Sequence, residues 1–268
     1  DNSDDGTNEF LEKFNNSKIK YIRNDKTLYA PASRNIGVAK AKGDLVAFLD
    51  DDDEWYPNKL EDQVKLFADK TIGLVYGGVD LFFEDYNLFY STKPILKGKI
   101  YNDMLMKNYI GATPSVIIRK VALKDICNES NEYFDISFPA RQDYDLWIRI
   151  SKIWKVDYIQ KPVLKQNYRN SINRISRNIN NHINAHVLLD KKYKLEISSC
   201  LSTIQKKNRL INQFLFLAAQ SIKINNTSIA RKYYFQAFKI DKSLKIFLMF
   251  LSTIFGSRLI IRLRCYFK

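Results

Sequence analysis

The hydrophobic pattern of the first two thirds of the chain alternates between helical and extended periodicity. Helices are predicted where apolar residues recur every three or four positions, and strands where short apolar runs lie between turn residues. Pro31 and Pro57 begin two of these helices, where the missing amide hydrogen costs nothing. The alternation favours an α/β fold with a mainly parallel sheet flanked by helices. The predicted helices are 7–15, 31–42, 57–68, 101–107 and 143–152, and the predicted strands are 18–23, 45–49, 72–83, 115–119, 155–159 and 163–168.

The last third of the chain has a different pattern. Long helical segments follow one another from residue 179 onward, separated by polar breaks. The charge changes at the same point: residues 178–268 hold sixteen Lys and Arg against three Asp and Glu, a net of +13 out of +14 for the whole chain. We therefore predict an α/β domain over residues 1–177 and a basic helical region over residues 178–268. The helices predicted in this region are 184–197, 201–224, 229–240 and 244–263.

Composition narrows the class of protein. A chain of 268 residues with 46% hydrophobic content can bury a large core. The cysteines Cys127, Cys200 and Cys265 show no metal-ligand spacing and cannot all pair, which indicates reduced thiols in the cytoplasm. His182 and His186 share a helix face, but without an HExxH context a zinc site is not expected. No segment reaches the roughly 18 apolar residues that a transmembrane helix needs.

The most informative motif is the acidic run FLDDDDEW at residues 48–55, directly after the predicted strand 45–49. On extended backbone, Asp50 and Asp52 would point one way and Asp51 the other. Carboxylates about 4 Å apart repel by about 4 kcal/mol at an effective dielectric near 20, so a partly buried group of them needs a cation. Carboxylate oxygens suit Mg²⁺ or Mn²⁺, which also binds ligand phosphates. A solvated acidic turn is the alternative, but the preceding strand favours a metal–diphosphate site.

Four separated segments resemble one enzyme family. The segment ASRNIGVAKAKGDLVAFLDDDDEWYPNKLEDQ, residues 32–63, resembles the core of glycosyltransferase family 2, nucleotide-sugar-dependent enzymes of the GT-A fold. The opening DNSDDGT is similar to the DDGSxDGT element of that family, and TPSVIIRK, residues 113–120, is similar to the segment that lines its acceptor cleft. QDYDLWIRI, residues 142–150, resembles its ED-x-x-LWxR motif. The resemblance covers about residues 1–177 and implies a GT-A domain there.

The resemblance also implies which residues bind the donor, a nucleoside-diphosphate sugar, with a UDP-sugar favoured. Asp50 and Asp52 match the DXD motif, in which the second Asp coordinates the Mn²⁺ or Mg²⁺ that bridges the diphosphate. Asp1 matches the residue that receives the nucleoside base, and Asp51 is expected at the nucleotide sugar. Arg34 is expected to face the nucleotide; the alternative for Arg34 is a solvent-facing helix residue.

Asp143 matches the catalytic base of the family. The attacking hydroxyl must lose a proton, which a carboxylate within hydrogen-bond reach can take. A base and a metal on opposite sides of the anomeric carbon imply in-line attack with inversion. Asp145 is the rival base, but on a helix it projects about 200° away from Asp143, so only one of them faces the cleft. We expect Trp147 and Leu146 in the core and Arg149 paired with an internal carboxylate.

Two features depart from the family pattern. Gln142 stands where an acidic residue usually precedes the base, and Tyr168, Arg169 and Asn170 stand where the family often has a histidine. The match to the DDGSxDGT element begins after its first Asp. The family's first strand, first helix and most of its second strand would therefore precede Asp1, and we expect an N-terminally truncated chain.

The basic region allows three interpretations. Residues 246–257 form an uncharged run of about 18 Å as a helix, too short for a bilayer of about 30 Å. Arg258 and Arg262 follow on one face, which suits a helix lying on an anionic membrane surface. The second interpretation is a helix packed inside the protein, which would bury Phe247 and Phe250 fully. The third, nucleic-acid binding, is not expected because no recognised motif supports it.

The leading hypothesis is an inverting, metal-dependent glycosyltransferase that builds surface polysaccharide of bacterial type on a saccharide or lipid-linked acceptor. It would work in the cytoplasm, at the inner face of the cell membrane. One alternative is a non-catalytic GT-A-like module that binds a nucleotide sugar or a partner. Another is a basic peripheral membrane protein.

Overall fold

The computed structural model describes residues 1–13, 16–127, 132–168 and 178–266. Its strands are β1 (Leu45–Ala47), β2 (Asp53–Trp55), β3 (Ile72–Phe83), β4 (Leu88–Ser91), β5 (Ile117–Arg119) and β6 (Lys155–Tyr168). Its helices before residue 178 are α1 (Thr7–Glu12), α2 (Tyr29–Lys40), α3 (Lys59–Leu66), α4 (Tyr101–Met106), α5 (Lys120–Asp125) and α6 (Gln142–Ile153). After it follow α7 (Ile179–Lys192), α8 (Lys194–Cys200), α9 (Thr203–Lys223), α10 (Thr227–Ile240), α11 (Leu244–Ser252) and α12 (Ser257–Tyr266).

One sheet with flanking helices organises the α/β part, which confirms the predicted fold class. Its strand order is β1-β5-β3-β6-β2, and β4 pairs with β3. The sheet is mixed rather than mainly parallel: among the described pairings, β3 and β6 are parallel, whereas β5, β4 and β2 join their neighbours antiparallel. The strand β5 lies between β1 and β3 and is antiparallel to both. As a result, β1, β3 and β6 all run in the same direction.

Two predicted strands differ from the structure. Residues 18–23 form no strand, because no described strand pairs with them and Ile19, Tyr21 and Ile22 are exposed. The predicted strands 155–159 and 163–168 are one strand, β6, because β3 pairs with it along its whole length. The register shifts at Gly77 and Gly78 absorb the irregularity between the two halves. The predicted helix 7–15 ends at Glu12, and residues 14 and 15 lie outside the described part.

Two large apolar cores contact the sheet, and a smaller one contains Ile72 and Val75 of β3. The first core packs Leu74, Tyr76 and Ile118 against Trp147 and Ile150 of α6, all of them almost fully buried. The second core joins the ends of β3 and β6 to the C-terminal helices through Val79, Leu81 and Leu164 on the strands and Leu217, Ile222 and Tyr234 on the helices. The helical region therefore shares a core with the sheet. The boundary between residues 177 and 178 stays a prediction.

The C-terminal region is helical as predicted, with two additional breaks. The predicted helix 184–197 is divided at Tyr193, where α7 ends and α8 begins. The predicted helix 244–263 is divided by a 3₁₀ turn, Thr253–Phe255, and by Gly256 at φ 83°, a left-handed conformation that favours glycine. No described helix is both long and apolar enough to cross a membrane.

Gly78 allows a close backbone approach inside β3. A Cβ atom there would lie 2.7 Å from the carbonyl oxygen of Thr92 and 3.2 Å from that of Lys161, and neither backbone atom can move away as a flexible side chain would. By contrast, Gly37 lies exposed on α2, and a Cβ atom there would meet no heavy atom within 4 Å.

We predict that Gly78→Ala lowers the free energy of unfolding by about 1–3 kcal/mol, because the added methyl group overpacks a rigid site. Gly37→Ala is the matched control and should be neutral or stabilising by about 0.5–1 kcal/mol, since alanine is the better helix former. Urea unfolding followed by circular dichroism measures both. Equal stability of Gly78→Ala and the wild type would show that the strands separate easily at this point.

Candidate active site

The acidic run forms a tight turn at the end of β1. The strand ends at Ala47, and the amide of Asp53 donates a hydrogen bond of 3.2 Å to the carbonyl oxygen of Asp50. Asp51 is exposed, Asp50 and Asp52 are partly exposed, and Asp53 is buried at the start of β2. The carboxylates are therefore placed by a turn and not by strand alternation, which corrects the geometric argument from the sequence. Asp50 and Asp52 both remain accessible to a ligand.

Arg34 of α2 lies directly against this turn. Its Nη2 is 2.5 Å from Oδ1 of Asp50, and its guanidinium lies 5.7 Å from the ring centre of Phe134. Phe134 in turn meets Phe48 edge-on at 5.4 Å. The Arg34 side chain is only 20% exposed, so it is not a solvent-facing helix residue. A cation and a carboxylate thus stand together at the end of β1.

Asp1 holds the start of the same helix. Its carboxylate accepts hydrogen bonds from the amides of Leu28 (2.8 Å) and Tyr29 (2.7 Å) and from Nδ2 of Asn24 (2.9 Å). A negative charge at a helix N-terminus is stabilising because it meets amide hydrogens without partners in the helix. Asp1 and Arg34 are therefore both tied to α2, although the structure shows no direct contact between them. The predicted contact of Asp1 with the nucleoside base stays a prediction.

Asp143, in the first turn of α6, completes the group. Its Oδ1 accepts the amide hydrogen of Tyr144 at 2.7 Å, and its side chain is partly buried. Burial raises the pKa of Asp143, against the opposing effects of the Tyr144 amide and of the Arg141 and Arg34 guanidinium groups. The charge of Asp50 contributes to the same rise. Asp143 therefore lies close enough to Arg34 and Asp50 for their charges to act on it, and its carboxyl is more basic than that of an ordinary Asp.

Asp145, two residues later on α6, is held inside the protein by three side chains. It is completely buried, and its carboxylate is bound by Arg149 Nε (2.9 Å), Lys192 Nζ (2.7 Å) and the Tyr193 hydroxyl (2.7 Å). Arg149 pairs with an internal carboxylate, as the sequence predicted. Leu146 and Trp147 lie in the core with no exposed surface, also as predicted. Of the two rival bases, Asp145 is fully buried against Lys192 and Tyr193, whereas Asp143 keeps some exposure; the choice of Asp143 as the base stays a prediction.

The acidic turn has the donor chemistry for a hard divalent cation. Asp50 and Asp52 supply carboxylate oxygens, the ligands that Mg²⁺ and Mn²⁺ take. In the described part of the chain, no group of three His, Cys, Asp or Glu side chains is arranged to hold a metal. An ion here would therefore take one or two protein carboxylates and complete its coordination with phosphate oxygens and water. Arg169 and Asn170 lie outside the described residues.

Trp55 and the segment at residues 113–120 form the wall beyond β2. Trp55 Nε1 donates a hydrogen bond of 2.9 Å to the carbonyl oxygen of Pro114. The ammonium of Lys59 lies 4.6 Å from the Trp55 ring centre and donates to Gln63 Oε1 at 2.7 Å. Burial lowers the pKa of Lys59 to about 7. Trp55 is thus a packing residue of this wall, and Lys59, which the sequence analysis overlooked, supports it.

Arg141 is the second residue that the sequence analysis missed. It immediately precedes α6 and has φ 63°, in the left-handed region. Its Nη1 lies 2.5 Å from Nε2 of His186, and its guanidinium stacks 4.0 Å from the ring centre of Phe216 and 4.5 Å from that of Tyr144. Only its position two residues before Asp143 could have drawn attention to it, because His186 and Phe216 come from helices that are distant in sequence.

We predict that Asp145→Asn lowers the free energy of unfolding by about 3–5 kcal/mol, since Arg149 and Lys192 then lose the charge of the fully buried carboxylate with which they pair. Asp143→Asn is the matched change two residues earlier. It should leave stability unchanged or raise it, because burial disfavours the charged form of Asp143. Thermal and urea unfolding of both variants provide the comparison, and an equal loss in the two would contradict the different roles.

Comparison with known proteins gives one family. The family model described as glycosyl transferase family 2 matches residues 1–127. The Escherichia coli protein UDP-Glc:alpha-D-GlcNAc-diphosphoundecaprenol beta-1,3-glucosyltransferase WfgD is 30% identical over 178 residues, 66% of this chain and 66% of that protein. The putative teichuronic acid biosynthesis glycosyltransferase TuaG of Bacillus subtilis is 26% identical over 66% of this chain and 68% of its own length. The matches span about two thirds of these relatives.

Among solved structures, S. aureus TarS 1-349 in complex with UDP-GlcNAc aligns with a TM-score of 0.47 and 15% identity, over 90% of this chain and 78% of that one.

Proposed function

The chain belongs to glycosyl transferase family 2, and we propose that it is an inverting, metal-dependent enzyme of surface polysaccharide synthesis. It transfers a hexose from a nucleoside-diphosphate sugar, with a UDP-sugar favoured, to a saccharide or lipid-linked acceptor. The names of WfgD and TuaG, a glucosyltransferase for a lipid-diphosphate acceptor and a putative teichuronic acid enzyme, support the acceptor class and the pathway.

The observation that carries this proposal is the position of Asp143 beside the Arg34–Asp50 pair. Arg34 and the acidic turn supply a cation and carboxylates for a metal-bound diphosphate. Asp143 stands on another element, α6, and its pKa is raised. A base that is kept apart from the donor turn but shares its cleft is the arrangement that a two-substrate transfer needs.

In the proposed reaction, Asp143 accepts the proton of the acceptor hydroxyl as that oxygen attacks the anomeric carbon. Arg34 neutralises part of the negative charge of the departing nucleoside diphosphate. A divalent cation at Asp50 and Asp52 would supply further stabilisation of this charge as a Lewis acid. In this proposal the base and the leaving group lie on opposite sides of the reacting carbon, so the product has the inverted configuration.

Asp143→Asn should reduce sugar transfer by a factor of 10² or more, because a positioned general base typically contributes 10²–10⁴-fold. Binding of the donor should stay nearly unchanged. Initial rates with a UDP-sugar and calorimetric affinities for UDP, both per mole of folded protein, separate these two quantities. The raised pKa of Asp143 also predicts that the wild-type rate starts to fall, as the pH is lowered, at a higher pH than an ordinary Asp would give. Near-normal turnover in the variant would remove Asp143 from the reaction.

Asp52→Asn should abolish the Mn²⁺-dependent part of UDP binding, because the amide lacks the negative charge that balances the ion. Asp44→Asn is the control, since Asp44 is also an exposed carboxylate close to β1 but lies before the strand. Titration calorimetry with and without Mn²⁺ measures the effect. Unchanged metal dependence in Asp52→Asn would contradict the metal assignment.

We also propose that the C-terminal helices form a membrane-facing surface, which would fit a lipid-linked acceptor. Ile246 anchors α11 in a core with Ile211 and Ala237, whereas Phe247 is 37% exposed and Phe250 is only partly buried. Full burial, which the internal-packing interpretation requires, is therefore not found. The exposed apolar residues in this part of the chain are Leu244, Phe247, Leu248, Ile254, Phe255 and Leu259, and exposed basic residues beside them in sequence are Lys242, Lys245, Arg258 and Arg262.

Apolar residues that enter the headgroup region and basic residues that attract anionic lipid together bind a helix at a membrane surface. We therefore place the enzyme, as part of the proposal, in the cytoplasm at the inner face of the cell membrane. The double change Arg258→Glu and Arg262→Glu should weaken binding to vesicles that contain anionic lipid by about tenfold or more, and salt should weaken wild-type binding in the same way.

The control is the double change Lys191→Glu and Lys194→Glu, which alters the net charge equally at exposed positions of α7 and α8. Vesicle co-sedimentation measures all three proteins. If both double variants lose binding equally, net charge alone drives it. If neither loses binding, the proposed surface is wrong.

A further inference from the structure

Arg141 is held in a conformation that an arginine rarely adopts. Its φ of 63° and ψ of 27° belong to the left-handed region, where a Cβ atom crowds the backbone. Such a residue persists only where the surrounding structure fixes it, and these residues cluster at ligand sites. Arg141 lies two residues before Asp143, at the point where the chain enters α6.

The C-terminal helices build a cage around its guanidinium. His186 of α7 accepts a hydrogen bond from Nη1 at 2.5 Å, and Phe216 of α9 covers one face at 4.0 Å. Tyr144 of α6 contributes the second ring at 4.5 Å. Stacking on aromatic rings holds a guanidinium plane in one orientation and leaves its remaining N–H groups directed along that plane.

Among the described residues, the Arg141 guanidinium forms no ion pair within 4 Å, and its one hydrogen bond is that from Nη1 to His186. The nearest carboxylate to act on its charge is that of Asp143, which raises the pKa of Arg141 from a distance. Burial lowers the pKa of His186 to about 2, so its imidazole is a neutral acceptor and not a charge partner. The neighbouring cation, Arg209, differs: it pairs with Asp190. Arg141 remains charged at neutral pH, since burial lowers its pKa only to about 10.

We propose that Arg141 binds a phosphate group of the acceptor and thereby places an acceptor hydroxyl against Asp143. The inference rests on the proposed function and adds a phosphorylated glycosyl acceptor as the substrate class. Guanidinium forks bind phosphate oxygens in bidentate fashion. Arg141 precedes Asp143 by two residues, and the charge of each acts on the pKa of the other, so the guanidinium and the carboxyl lie near enough to meet one sugar phosphate.

The alternative is that Arg141 binds the diphosphate of the donor instead of a phosphate group of the acceptor. The position of Arg141 favours the acceptor, because the donor side of the cleft already has Arg34 and the acidic turn, while Arg141 stands on the side of the base. This assignment gives the C-terminal helices a role in the reaction: α7 and α9 hold the residue that recognises the acceptor.

Titration of the full chain, saturated with UDP and Mg²⁺, with butyl diphosphate tests the site directly. We expect binding by the wild type and an affinity reduced about tenfold or more in Arg141→Lys, which keeps the charge but loses the fork. Arg141→Gly removes the guanidinium and suits the left-handed backbone, so it should fold and show the same loss. Lys191→Ala, which removes an exposed charge from α7, should bind as the wild type does.

The second measurement is the KM for two acceptors, a glycosyl diphosphate and the same sugar without its phosphates. Arg141→Lys should raise the KM for the glycosyl diphosphate about tenfold and leave the KM for the unphosphorylated sugar unchanged. An equal effect on both acceptors, or butyl diphosphate affinity that does not depend on Arg141, would overturn the inference. If butyl diphosphate displaces UDP, the Arg141 guanidinium belongs to the donor site, which would also overturn the inference. If the proposed function is wrong, the wild type will not transfer sugar at all. The binding titration does not depend on transfer, so the two failures can be told apart.

Discussion

The buried carboxylate of Asp145 is the interaction on which the arrangement of the cleft depends. It joins α6 to the helical region through Arg149, Lys192 and Tyr193, and it has no exposed surface. Ion pairs of this kind cost much desolvation, and losing one partner is therefore severe. Because Asp145 is fixed against Lys192 and Tyr193, the helical geometry turns Asp143 to another side of α6. The stability of the protein and the orientation of its proposed base thus depend on the same helix turn.

Charges of opposite sign alternate across the cleft. Asp50 pairs with Arg34 on the donor side, and Arg141 stands close to Asp143 on the side of the base. The Arg34 and Arg141 charges oppose the effect of Asp50 on Asp143, and in our proposal they provide a cation for each of the two anionic substrates. The helical region participates on the second side only, through the cage around Arg141. A region that the sequence distinguishes by its charge is therefore part of the proposed acceptor site.

The sequence predicted those parts of the fold that local patterns determine. The acidic run after an apolar strand, the helix that carries Asp143, and the burial of Trp147 all follow from periodicity and motif. The mixed sheet was not predictable in this way, because β5 is a three-residue strand whose direction depends on the long-range pairing with β1 and β3. Arg141 was missed for a similar reason: His186 and Phe216, which contact its guanidinium, lie on helices more than forty residues away in sequence. Local patterns place side chains on elements, whereas a cage of this kind exists only after the elements pack.

The most direct test of the account is the anomalous diffraction signal of Mn²⁺ in crystals of the chain grown with UDP. The account predicts a Mn²⁺ ion at about 2.1 Å from a carboxylate oxygen of Asp52, bridged to the diphosphate, with the Asp143 carboxylate across the same cleft. A signal away from the acidic turn, or a nucleotide bound far from Arg34 and Asp143, would contradict it.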